Sequence, residues 1–184
     1  MTAHHSRLRA RLSDETGMSL IEAIVACGIL IVVIAGVIGA QAMATSMTEN
    51  NGHLGARTAE YAVDKMEQML ELTYGDAQSN TTVFPSINNG GTGLAVGGSS
   101  NPDTPVVGYS DYLDAAGNIL CSVATPCTAT PPANWYYKRV WEVSTPSSNL
   151  KLITVVATIS YGLGGAQKSK STIAAYKTNC PTGC

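Results

Sequence analysis

The run Gly17-Met18-Ser19-Leu20-Ile21-Glu22-Ala23 governs the reading of the whole chain, because it opens an apolar segment that keeps one carboxylate. From Leu20 to Ile38, nineteen residues include twelve of Ile, Leu or Val. As a helix rising about 1.5 Å per residue they span roughly 28 Å, close to the ~30 Å hydrocarbon thickness of a bilayer. Those twelve side chains favour insertion by on the order of 4–6 kcal/mol, and Glu22, near the end of the run, opposes it by less than ~3 kcal/mol. The segment is therefore predicted to span a membrane. A carboxylate at that depth needs a partner. A cut between Gly17 and Met18 would supply one, placing a new α-amino group beside the first turn, where the amine of one chain meets Glu22 of its neighbour. Such a buried pair sets register more than it adds stability. The plainer alternative is an interfacial, solvated Glu22.

Arg7, Arg9 and Arg11 precede the run with His4 and His5, and no further Lys or Arg occurs until Arg57. By the positive-inside rule, residues 1–17 stay cytoplasmic and the chain beyond the apolar span is exported. A short basic leader, a glycine, a glutamate five residues on and then an apolar span resemble the class III signal of type IV pilins and type II secretion pseudopilins. The resemblance implies that a prepilin peptidase cuts after Gly17 and N-methylates Met18, and that Glu22 is the assembly glutamate. Met18 stands where the family most often has phenylalanine, which points to a minor pilin of a type IV pilus. The implied partners are the major pilin and other pilin subunits, the prepilin peptidase and an inner-membrane assembly platform. The implied location is the bacterial inner membrane, followed by a cell-surface filament or the periplasm. A type II secretion pseudopilin is the near alternative. An exported binding module is a different class, either held by one helix or released at the small-residue sites Ala40-Gln41-Ala42 and Ala42-Met43-Ala44.

Beyond Ala44 the pattern becomes amphipathic. Leu54, Tyr61, Ala62, Met66, Met69 and Leu70 recur at helical offsets, with Arg57, Glu60, Asp64, Lys65, Glu67 and Glu71 on other faces. One helix is predicted over 18–74, with 18–40 in the membrane or a filament core. Gly36, Gly39, Gly52 and Gly55 each weaken it by about 1 kcal/mol relative to Ala. These glycines read either as sites of bilayer packing and helix ends or, as the resemblance to pilins implies, as a stretch around Gly36 to Gly39 that can unwind when subunits assemble. Cys27 reads as a small apolar residue.

Residues 75–134 are rich in Gly, Asn, Ser and Thr and carry no persistent period, so a long irregular loop is predicted, with one short strand near Val106 to Tyr112. Within 135–184, Trp135 to Val143, Leu150 to Tyr161 and Ser171 to Lys177 read as three strands of an antiparallel meander. Ile153, Val155, Ala157, Ile159 and Tyr161 share one face, predicted to cover Tyr61, Met66 and Leu70. The fold class is α+β: a long N-terminal helix on a small antiparallel sheet.

Charged residues make up only 13% and formal net charge is −2, which suits an exported protein with polar loops and gives no basic balance for nucleic acid. Cys121, Cys127, Cys180 and Cys184 lie beyond the membrane segment, so disulfides are expected there rather than zinc. Four cysteines allow three connectivities. Local pairs are sterically open, and a crossed arrangement is preferred because it closes a longer loop. Leader removal would leave His53 as the remaining histidine, on the helix, with no Ser-His-Asp set. Asp103, Asp111 and Asp114 match no calcium loop and read as solvated charges. A structural protein without metal or cofactor, rather than an enzyme, is expected.

Overall fold

A computed structural model describes residues 19–160 and 168–179. Gly17, Met18, Tyr161, Cys180 and Cys184 lie outside the described residues. In chain order the elements are α1 (Leu20–Glu71), β1 (Gly97–Gly98), β2 (Ser110–Leu113), β3 (Tyr137–Ser147), β4 (Leu150–Ile159) and β5 (Lys170–Thr178). Two compact units result, one ending at Ser46 and one beginning at Met47.

The described part of the first unit is α1 up to Ser46. Beyond its first turn the helix pairs its own backbone groups, and its mostly apolar side chains, Glu22 apart, are not buried.

The second unit folds by packing the last turns of α1 on one face of an antiparallel sheet ordered β1-β3-β4-β5, with β2 also paired to β3. β3 and β4 register Trp141 against Val155 and Val143 against Ile153, while β4 and β5 register Val155 against Ile173. Alternation puts Tyr137, Trp141, Val143, Ile153, Val155, Ala157 and Ile159 on the helix side, where they form the main core with Tyr61, Ala62, Met66 and Met69. The predicted strand face and helix stripe therefore meet. Leu70 is the exception, 38% exposed. One residue further along the helix turns it about 100° from Met69, which takes the core place.

The sheet has five strands rather than three, because β1 and β2 both line the free edge of β3. Ser110 to Leu113 register against Val140 to Tyr137, and Gly97 and Gly98 against Val143 and Glu142. At Gly98 φ is 85° and a Cβ would lie 2.2 Å from the Trp141 carbonyl oxygen, so glycine alone permits this approach. The segment predicted as irregular loop is instead pinned by side-chain caps. Asp76 Oδ1 accepts the Gln78 and Ser79 amides at 2.9 Å, and Asn80 Oδ1 accepts the Thr82 amide at 3.1 Å.

Candidate functional site

The twelve Ile, Leu and Val residues of Leu20 to Ile38 are each at least 48% exposed. Leaving an aliphatic side chain in water forgoes about 1.5–3 kcal/mol, so twelve together amount to on the order of 20 kcal/mol. Apolar surroundings would recover that free energy. α1 is long and apolar enough to cross a membrane. Glu22 lies exposed in its first turn, where a negative charge is favoured by the helix dipole. The amide of Ala23 donates to the Ser19 carbonyl at 3.1 Å, so the helix is wound up to its first described residue. Cys27 is exposed on the same surface. Gly36 and Gly39 are helical, and a Cβ on either would meet open space.

In the second unit, the side chains that lock helix to sheet are charged. Lys65 and Arg139 are both fully buried, and Asp111 lies between them. Arg139 grips Asp111 with two parallel bonds, Nε to Oδ1 at 2.7 Å and Nη2 to Oδ2 at 2.9 Å. Its third nitrogen, Nη1, reaches Asp64 at 2.8 Å. Lys65 Nζ lies 2.7 Å from Asp111 Oδ2, donates to the Thr81 carbonyl and sits 4.4 Å from the Trp141 ring centroid. Two cations and two carboxylates thus join α1, β2, β3 and the Thr81 segment.

Burial acts first on each group, and its partners then decide the outcome. Burial pushes the Lys65 ammonium down to about 8, against the pull of Asp111. Burial alone would raise the Asp111 carboxyl, yet Arg139 and Lys65 overcome it and hold the group below the usual carboxylate range. Every member is engaged by another, so the cluster ties α1 to the sheet.

Of the acids predicted as solvated loop charges, Asp111 is corrected outright. β2 pairs it directly opposite Arg139, which draws it into the interior. Asp114 closes a turn by accepting the Ala116 and Asn118 amides at 2.9 Å, and Asp103 is exposed. Among the described residues no three of His, Cys, Asp and Glu come together as a metal would require.

The preferred crossed disulfide is also corrected. Cys121 bonds to Cys127 with Cα atoms 5.2 Å apart. A tight turn makes this possible: the Ser122 amide donates to Thr125 O at 2.9 Å, and the Thr125 amide to Ser122 Oγ at 3.0 Å. The bridge packs beside Tyr112 in a small second cluster with Trp135.

α1 ends without a basic residue in its last turn. The sheet provides the missing cations: Lys177 Nζ donates to Leu70 O at 2.6 Å, and Lys151 Nζ to Tyr74 O at 2.6 Å and Leu94 O at 2.8 Å.

Compared with protein-family models, with curated proteins and with solved structures, the chain matches none.

Proposed function

We propose that this chain is a structural subunit of a type IV pilus, held in the membrane by α1 before entering a filament. The observation that carries this reading is the uncovered apolar half of α1 with Glu22 in its first turn, continuous in one helix with the half that folds the head. A surface of that kind is stable in lipid and equally stable against the same surface of neighbouring subunits, which is what transfer from membrane to filament demands. Glu22 then receives the amine created by the cut after Gly17. The pilin-like signal supports the same reading, and its Met18 supports a minor subunit. The head has a packed core and a buried ion cluster in which each charge is already engaged, in keeping with a building block.

Glu22→Ala tests the role directly. The variant is expected to insert in the membrane at the normal level and to be lost from sheared filaments by at least tenfold. Normal incorporation would refute the assembly role.

A further inference from the structure

Among the described residues β5 pairs only with β4, in one unbroken register from Leu150 and Thr178 to Thr158 and Lys170. At one end the Ile159 amide donates to Ser169 O at 3.3 Å, and at the other the Asn179 amide donates to Asn149 O at 2.9 Å. Both pairs continue that register, so Ser171, Ile173, Ala175 and Lys177 are the residues bonded to β4. The backbone N–H and C=O groups of Thr172, Ala174 and Tyr176 therefore point outward from the sheet, and all three residues are exposed.

A long edge strand is normally guarded by a proline, a bulge or a charge in mid-strand. β5 has no proline and no bulge, and its lysines stand near its two ends, Lys177 turning its side chain to the Leu70 carbonyl. From Ser171 to Tyr176 the strand is uncharged. The opposite side of the sheet differs, because β1 and β2 cover β3 there and the Leu120 amide bonds in turn to Tyr112 O of β2.

α1 runs alongside β5 in the same direction, Thr58 meeting Ser171 and the Leu70 carbonyl meeting Lys177. At about 100° per residue, Asp64 lies roughly 120° from Thr58, on the flank that meets Arg139 of β3. Val63 and Leu70 lie roughly 120–140° from Thr58 on the other flank, toward the open edge. They are 43% and 38% exposed. Beside that edge Ile173 and Ala175 are only partly buried. Glu67 stands one turn from both Val63 and Leu70, exposed and in no ion pair among the described residues. Free main-chain groups, an apolar shelf and a carboxylate thus line one edge of the head.

We infer that the β5 edge is a docking site for an extended basic segment of a different protein, which adds to the sheet as a further strand. Main-chain bonds to Thr172, Ala174 and Tyr176 hold its backbone, and its alternate side chains reach the shelf. A lysine or arginine at such a position lays its stem on Val63 and Leu70 and brings its charge to Glu67. A second copy of this chain fits less well. Antiparallel pairing of two β5 edges would reverse α1 of one head against the other, whereas copies anchored in one membrane keep α1 in one direction. The inference goes beyond the subunit reading: the edge belongs to the head, so strand addition can fail while the cut after Gly17 and assembly through α1 stand.

The test pans a random peptide library displayed on phage against the full chain in detergent micelles. Enriched peptides are expected to alternate apolar side chains and to carry lysine or arginine. A synthetic copy of one should slow hydrogen exchange at the amides of Thr172, Ala174 and Tyr176 at least tenfold. Ala174→Pro removes an outward donor and no bond to β4, so it should weaken binding at least tenfold with near-UV circular dichroism unchanged. A second block leaves the protein untouched: methylating the peptide's backbone nitrogens at alternate residues should abolish binding for one set and spare it for the other. Glu67→Lys should weaken binding several-fold. Failure to enrich any peptide, or binding indifferent to both blocks or to Glu67→Lys, would overturn the inference. Slowing of the same three amides with rising protein concentration, in the absence of peptide, would give the edge to a second copy and likewise overturn it.

Discussion

Asp111 is the residue on which the head's electrostatics turn. It stands between Lys65 and Arg139 and is fully buried, so Asp111→Ala strands two cations with only the half-exposed Asp64 to answer them. Breaking one member of a buried ion cluster costs about 3–5 kcal/mol, and denaturant unfolding followed through Trp141 should show a loss of that size. Replacing Lys65 by Met should cost much less, because Arg139 still satisfies Asp111. Lys65 also makes stability depend on pH. Its folded value of about 8 lies below the ordinary 10.5, so between those values the unfolded chain binds the extra proton and stability rises with pH. Unfolding free energy should therefore increase from pH 8 to pH 9.5 by on the order of 1–2 kcal/mol, and Lys65→Met should flatten that rise. Asp111 works at the other end: its contribution is present above the ordinary value of 3.8 and lost as pH falls through its depressed folded value. The burial of Lys65 was within reach of a helical wheel, since it falls in the same sector as Tyr61 and Met69. That of Asp111 was not, because only its pairing opposite Arg139 brings it inside.

Among the elements, α1 and the three long strands were legible because each repeats one period over nine or more residues. β2 was legible only in outline, as a short strand placed a few residues early near Val106 to Tyr112, and β1 was not legible at all, having two glycines and owing its existence to the edge of β3. The C-terminus of α1 is likewise a tertiary construction, with its cations borrowed from β4 and β5. Lys177→Met removes one donor at the Leu70 carbonyl and should lower stability by about 0.5–1 kcal/mol, read as a shift in denaturant midpoint at constant slope. The Cys121–Cys127 bridge closes a short loop, so Cys121→Ser with Cys127→Ser should cost about 2 kcal/mol, less than a crossed pair would have contributed. Its pairing was open in the sequence because spacing alone permits three connectivities; the Ser122–Thr125 turn decides it.

For the whole molecule, the contrast is between a head whose buried charges are paired and a helix whose apolar surface has no cover among the described residues. The resemblance to a class III signal needed the basic leader, Gly17, Glu22 and the apolar span together, whereas the buried cluster of Lys65, Asp111 and Arg139 needed the strand register. The proposed account is a subunit released from its leader and stacked beside others. That account depends on where the chain is cut. The most direct measurement is the intact mass of the mature protein purified from membranes. A mass beginning at Met18 with one added methyl group is the expected result, and a chain beginning near Ala44, or one retaining residues 1–17, would contradict it.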